Sequence, residues 1–224
     1  MKTLYICQKF EIMKNNVLQV AEKLLQINAV KLSPQNPFTW ASGIKSPIYC
    51  DNRIALSYPD ARKLIVDGFY QKSGAFEPFD TIAGVATAGI PWGVLLAERL
   101  GKPFIYIRDK AKAHGRQNQI EGFYTEGSKV LVIEDLISTG GSSLKAVDAV
   151  REAGCEVVGV LAIFSYGFDA ATTIFNDSKC RFDTLSNYEI LIDCAVRRGY
   201  VTASERETLQ EWRISPSTWG VNEI

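Results

Sequence analysis

Four short apolar runs in the second half of the chain constrain its fold more than any other feature. They are TIAGVA (81–86), PFIYI (103–107), KVLVI (129–133) and EVVGVLAIF (156–164). Each has the length and the β-branched content of a buried strand, and each is too short to span a bilayer. Apolar residues recur at helical spacing between the first and second runs, over Ile90–Leu100. They do so again between the third and fourth, over Ser142–Ala153. Strands that alternate with helices predict an α/β fold whose mostly parallel sheet is flanked by helices on both faces. Ligands of such sheets bind beyond the carboxyl ends of the strands, so chemistry is expected just after each run.

The first third reads differently. Val17, Val20, Ala21, Leu24 and Leu25 suggest an amphipathic helix over Asn16–Ile27, and a second helix is expected from Pro59, with a stripe of Ala61, Leu64, Ile65 and Phe69. Between them, Ser33–Arg53 holds three prolines and a Ser-Gly pair, the composition of loops and short strands. No repeat or low-complexity linker divides the 224 residues, so one domain is expected. Lys plus Arg equals Asp plus Glu at 25 each, which argues against a dedicated nucleic-acid binder. The five cysteines are odd in number and lack a CxxC pair, which suits reduced thiols in a cytoplasmic protein and neither a zinc site nor a disulfide framework. No apolar run or leader pattern predicts a membrane association, and Met13 is an alternative start to Met1.

After the third run the sequence continues VLVIEDLISTGGSS, Val130 to Ser143. Two adjacent carboxylates, Glu134 and Asp135, precede the cluster Ser138-Thr139-Gly140-Gly141-Ser142-Ser143, which feeds a helix. Small residues at a helix N-terminus make an anion site, because backbone N–H groups point outward and the helix dipole favours negative charge. The Gly-Lys-Ser/Thr ending of a Walker A loop is missing. Acids beside a phosphate loop make sense if the ligand also offers hydroxyls or a metal, as a ribose phosphate does. The bland alternative is an acidic turn that merely caps a helix.

The second run is followed by RDKAKAHGRQNQIEG, Arg108 to Gly122, a stretch too polar to pack. Long excursions of this kind are usually functional or disordered. Its cations, Arg108, Lys110, Lys112 and Arg116, and the chain's only histidine, His114, suit a diphosphate; a solvated loop is the alternative.

These segments resemble known ones. VLVIEDLISTGGSS resembles the phosphoribosyl pyrophosphate (PRPP) signature of type I phosphoribosyltransferases, and Arg-x3-Lys-x-His-Gly resembles the mobile catalytic loop of the orotate phosphoribosyltransferases among them. FTWASGIKSPIYCDNR, Phe38 to Arg53, resembles their N-terminal hood, and GVATAGIP (84–91) their pyrophosphate loop. Ala41 stands where many relatives carry lysine, Ala88 where some do, and Asp109 where relatives often carry a second basic residue; Lys45 and Arg53 are candidate replacements for the lost charge. The resemblance covers roughly residues 30 to 220, with the motifs in the family's order.

The resemblance implies a type I phosphoribosyltransferase fold. A small hood would come mainly from about 14–60, a PRPP-binding core from about 61–185 and C-terminal helices from about 186–224. It implies that Glu134 and Asp135 meet the ribose, that Leu136, Ile137, Ser138, Thr139, Gly140, Gly141 and Ser142 complete the PRPP loop, and that Ser138 also reaches orotate. Arg108, Lys112 and His114 would grip PRPP, with Lys112, His114 and Asp135 carrying catalysis. The implied reaction is Mg²⁺-dependent transfer of ribose 5-phosphate from PRPP to orotate, releasing pyrophosphate. The metal would be held mainly through PRPP, and the lid would be shared between the subunits of a homodimer. Two other readings share the PRPP motif. A purine or xanthine phosphoribosyltransferase should lack the KAKAHG lid and the FTWASG hood, and a PRPP-sensing regulator should carry a nucleic-acid-binding module or basic face.

Overall fold

The computed structural model describes residues 16–40, 42–109 and 119–220, which form two compact units. The first unit holds the described residues up to Arg62, Tyr166–Phe168 and those from Ser186 onward; the second holds Lys63–Ser165 and Asp169–Leu185. Among the described residues no helix is long and apolar enough to cross a membrane.

The first unit opens with α1 (16–26), one residue shorter than its periodicity suggests. Two antiparallel pairs follow, β1 (Val30–Leu32) with β4 (Ile48–Cys50) and β2 (Phe38–Thr39) with β3 (Lys45–Ser46). These are the short strands that the proline-rich stretch predicts. Helices α6 (Tyr188–Arg198) and α7 (Ala203–Ile214) complete the unit. A capping box starts α7: the Thr202 hydroxyl accepts from the Glu205 N–H, and the Glu205 carboxylate accepts from the Thr202 N–H. Trp212 of α7 is fully buried, its ring centre 5.5–5.8 Å from those of Trp40, Tyr166, Phe168 and Tyr188. Its indole Nε1–H donates to the Lys45 carbonyl at 3.1 Å, which ties α7 to the β2–β3 hairpin.

The second unit is built on a six-stranded sheet of order β10-β9-β8-β5-β6-β7. Its parallel centre is β5 (Thr81–Val85), β6 (Phe104–Ile107), β8 (Lys129–Ile137) and β9 (Glu156–Ser165), the four runs that the sequence marks as strands. The helices between them, α3 (Gly89–Leu100) and α4 (Gly141–Glu152), cover opposite faces. Alternation puts Ala83, Val85, Val130 and Val132 on the α4 side, in one core cluster with Val147 and Val150; Gly84 instead lies against Ile90 of α3. Helix α2 (Pro59–Ser73) begins at the expected proline, and its Lys72 pairs with Asp183 at 2.7 Å.

Three features differ from the sequence expectation. The β8 ladder does not stop at Ile133 but continues beside β9 to the pair Ile137–Ser165, so Glu134 to Ile137 are strand and not loop. The polar excursion after Arg108 is not wholly irregular: β7 (Ile120–Glu121) returns antiparallel to β6. Helix α5 (Asp169–Asp177), short but with Ala171, Ile174 and Phe175 at helical spacing, and strand β10 (Phe182–Asn187), which has few apolar residues, are elements the sequence expectation did not include.

Trp212→Ala removes the centre of the aromatic group and one hydrogen bond. It should destabilise the protein by about 3–5 kcal/mol, the usual cost of deleting a buried aromatic ring. Urea unfolding measures this directly, and an unchanged midpoint would show that the cluster contributes no net packing energy.

Candidate active site

In the sheet order, the chain steps from β5 to β6 on one side and to β8 on the other. Because α3 and α4 leave on opposite faces, a crevice opens between the carboxyl ends of β5 and β8, the switch point where α/β sheets bind ligands. Both segments that resemble phosphate-handling loops lie there: Ala86–Ala88 after β5 and Ser138–Gly140 after β8.

Each loop runs into a helix that no side chain caps. Gly140, the residue before α4, has φ +85°, and a Cβ there would come within 2.9 Å of the Phe175 ring, so no other residue fits without rearrangement. A Cβ on Gly141 would meet nothing within 4 Å, so this side of the first turn faces open space. Thr139 and Ser142 are exposed, and Ser138 is half-buried. The backbone N–H groups of this turn and the neighbouring hydroxyls are thus available to an anion. The second helix N-terminus is braced from below. Gly89 packs so tightly on β8 that a Cβ would come within 2.4 Å of the Ile133 carbonyl oxygen. Gly89 thereby seats the start of α3 one residue from Glu134. Nothing in GVATAGIP distinguishes it beforehand from a glycine serving only a turn.

The two acids differ in setting. Glu134 is 6% exposed and lies opposite Ala162 of β9, whereas Asp135 is half-buried. One Glu134 oxygen, Oε1, accepts from the Asp135 backbone N–H at 3.0 Å, and the other, Oε2, accepts from the Ser143 hydroxyl at 3.4 Å. Burial, followed by the negative charge of Asp135, pushes the Glu134 carboxyl well above its ordinary range, while the hydrogen bonds from the Asp135 N–H and Ser143 pull the other way.

The remaining sequence candidates fall as follows. Leu136 is half-buried, and Ile137 is fully buried in the core, so only its backbone is available to a ligand. Arg108 directly follows β6; its side chain is 3.3 Å from Glu121 of β7, so the stem of the excursion is held by an ion pair. Lys110, Lys112, His114 and Arg116 lie outside the described residues, as do Ala41, Met1 and Met13. In the other unit, Lys45 is exposed and donates to the Thr39 hydroxyl at 2.9 Å. Arg53 grips Asp51 with two hydrogen bonds of 2.7 and 2.9 Å and so holds that carboxyl below its usual range. Cys50, Cys155, Cys180 and Cys194 are unbridged.

The raised Glu134 carboxyl has a consequence for stability. At pH between the ordinary glutamate range and the raised one, the native form holds a proton that the unfolded chain has already released, so its contribution is present below the ordinary value and is lost as pH rises through the raised one, above which the native group is the carboxylate. Glu134→Gln keeps the shape without the charge. Its melting temperature should equal or trail the parent near pH 4 and exceed it near pH 8, by about 2–4 °C for each 1 kcal/mol relieved. A pH-independent difference would remove the buried charge as its cause.

The model for the phosphoribosyl transferase domain family matches residues 51–197. An orotate phosphoribosyltransferase of Listeria innocua is 53% identical over 203 residues, covering 90% of this chain and 97% of that protein. One from Bacteroides fragilis is 52% identical over 215 residues, covering 92% and 98%. Among solved structures, the orotate phosphoribosyltransferase of Aeropyrum pernix superposes with a TM-score of 0.72 at 28% identity, covering 82% of this chain and 99% of that one. UMP synthase of Leishmania donovani gives 0.75 at 29% identity, covering 88% of this chain and 42% of that longer one. The sheet, the switch-point loops and the near-complete overlap of sequence agree, and the chain belongs to the phosphoribosyltransferase family, grouping there with the orotate phosphoribosyltransferases.

Proposed function

We propose that this protein transfers ribose 5-phosphate from PRPP to orotate, giving orotidine 5′-monophosphate and pyrophosphate, as a cytoplasmic homodimer that uses Mg²⁺. The observation that carries the reading is the pair of acids near the carboxyl end of β8, followed through a short turn by an uncapped, glycine-bearing helix N-terminus. That arrangement suits a ligand with hydroxyls at one end and a phosphate at the other. Relatives named orotate phosphoribosyltransferase, matched over nine-tenths of the chain, favour orotate over a purine base.

PRPP already carries a good leaving group, so the protein's work is to hold it and to stabilise charge as the bond to pyrophosphate breaks. In this reading Glu134 and Asp135 accept from the ribose hydroxyls, Ser138 to Ser142 receive the 5′-phosphate, and Ser138 also reaches the base. Leu136 and Ile137 shape the approach to the loop. The uncapped N-terminus of α3 suits the pyrophosphate, with Arg108, Lys112 and His114 adding positive charge as the lid closes and excludes water. His114 is suited to pass a proton to the departing pyrophosphate. Orotate becomes the nucleophile once its weakly acidic ring N–H gives up its proton to solvent, balancing the proton taken up by the departing pyrophosphate, so no strong protein base is required and no covalent enzyme intermediate forms.

The donor set fits a metal held through substrate. Each oxygen of Glu134 already takes one donor hydrogen, which leaves its remaining lone pairs for sugar hydroxyls and favours substrate oxygens as the metal's ligands. Mg²⁺ would then sit on pyrophosphate and ribose oxygens and supply charge neutralisation of the leaving group.

Incubation with PRPP and Mg²⁺ should consume orotate, seen as loss of its ultraviolet absorbance, in step with pyrophosphate release. Hypoxanthine or xanthine reacting well while orotate does not would transfer the assignment to the purine class. Asp135→Asn should lower kcat/KM by about 10- to 100-fold.

Lys112→Ala should lower kcat by about 10²- to 10³-fold, the usual loss when one donor to a developing anion is removed. Mixing Lys112→Ala subunits with Asp135→Asn subunits tests the shared lid. Hybrid dimers would contain one site with an intact pocket and an intact borrowed lid, so activity should rise above either parent. No recovery despite proven subunit exchange would confine the lid to its own subunit.

A further inference from the structure

We infer that Ser143 is a positioning residue for the reaction: its hydroxyl holds the Glu134 carboxylate in the orientation in which the ribose hydroxyls of PRPP meet it. The inference rests on the reading that Glu134 binds the ribose.

Ser143 lies in the first turn of α4 and is fully buried. A buried hydroxyl must find a partner, and here its partner is Glu134 Oε2. The opposite oxygen is fixed by the Asp135 main-chain N–H, which cannot move without disturbing the β8 ladder. The carboxylate is thus pinned at both oxygens, one by strand and one by helix. Alternation along β8 agrees with this contact, since Glu134 shares a face with Val130 and Val132, the face that α4 covers. Each oxygen has a second lone pair, so a clamped Glu134 still has acceptor capacity for a sugar hydroxyl. Without Ser143 the Oε2 side would be free to turn, and a buried charge would lose one of the bonds that support it. Neighbouring Ser142, by contrast, is exposed on the open side of the same turn. The two adjacent serines therefore divide the work: Ser142 is placed for the phosphate and Ser143 for the acid.

The test is a double-mutant cycle of Ser143→Ala and Glu134→Gln, read by calorimetric titration of PRPP with Mg²⁺ and, separately, of inorganic pyrophosphate. In Glu134→Gln the amide oxygen must still serve the Asp135 N–H, so the amide NH₂ faces Ser143 and the hydroxyl no longer donates to a carboxylate. Ser143→Ala in the native background should weaken PRPP binding about 3- to 10-fold, less than the full worth of a hydrogen bond to a charged group. Pyrophosphate, which has no ribose, should bind as before; misfolding would lower both affinities alike. In the Glu134→Gln background the same change should cost less than about 2-fold. Ser143→Cys, similar in volume but a weak donor, should repeat the selective loss if the alanine variant proves unstable. A full-sized Ser143→Ala loss persisting in the Glu134→Gln background would overturn the positioning role and leave the ribose assignment standing. A Glu134→Gln protein that binds PRPP and turns over normally would overturn the ribose assignment and, with it, this inference.

Discussion

A carboxylate set at the end of an apolar strand needs donors, and much of the second unit's architecture is arranged around supplying them to Glu134. Left unpaired in this setting, its charge would cost several kcal/mol and the group would simply keep its proton. Two donors reach it, a backbone N–H from its own strand and a hydroxyl from the helix beyond the loop. The hydroxyl requires α4 to begin close against β8, and the short Ser138–Gly140 turn makes that possible, with Gly140 in a left-handed conformation. Tight seating recurs on the other face, where Gly89 sets α3 against the Ile133 carbonyl. The acid, the Ser138–Gly140 turn and the start of α3 are therefore held in register around a single strand. An error in any one would move the others.

This geometry also gives the site a built-in tension. Burial favours the neutral form of Glu134, and the proposed function favours an acceptor able to bind sugar hydroxyls strongly. Donors to the carboxylate reduce the conflict without abolishing it. Function placed at a site of marginal stability is a common outcome, because the arrangement that binds a ligand best is seldom the one the empty protein would choose.

What was legible beforehand follows from what each residue must satisfy. The four central strands are continuous apolar runs because both faces are covered, so TIAGV and KVLVI announce themselves. The end of β8 was not legible: Glu134 and Asp135 look like a strand terminator, yet the ladder with β9 continues for four residues past Ile133 because its backbone pairing is indifferent to side-chain charge. Edge strand β10 was hidden for the opposite reason, since FDTLSN has few apolar residues to signal a strand. The string from Glu134 to Ser142 could be singled out from composition and order alone. The clamp from Ser143 could not, because two consecutive serines at a helix start give no sign of which turns inward. Arg53 shows the reverse error, a cation that seems available in sequence but is engaged two residues away by Asp51.

The balanced charge of the chain would suggest no preference for anions, although the proposed substrates are strongly anionic. The described half of the site explains how both can hold. The Ser138–Ser142 loop contains no cation, and what it offers an anion is N–H groups, hydroxyls and the α4 dipole. Such groups leave net charge untouched and are oriented before the ligand arrives, so little reorganisation is needed on binding. They also sit beside two acids that a cluster of lysines would neutralise by direct pairing, as Arg108 is paired by Glu121 and Arg53 by Asp51. Dipoles can serve the phosphate while the acids a few residues earlier stay available to the sugar. A binding site for a molecule with hydroxyls at one end and phosphates at the other calls for that separation, and under the proposed function the anion-binding character rests on the order of the residues and not on their sum.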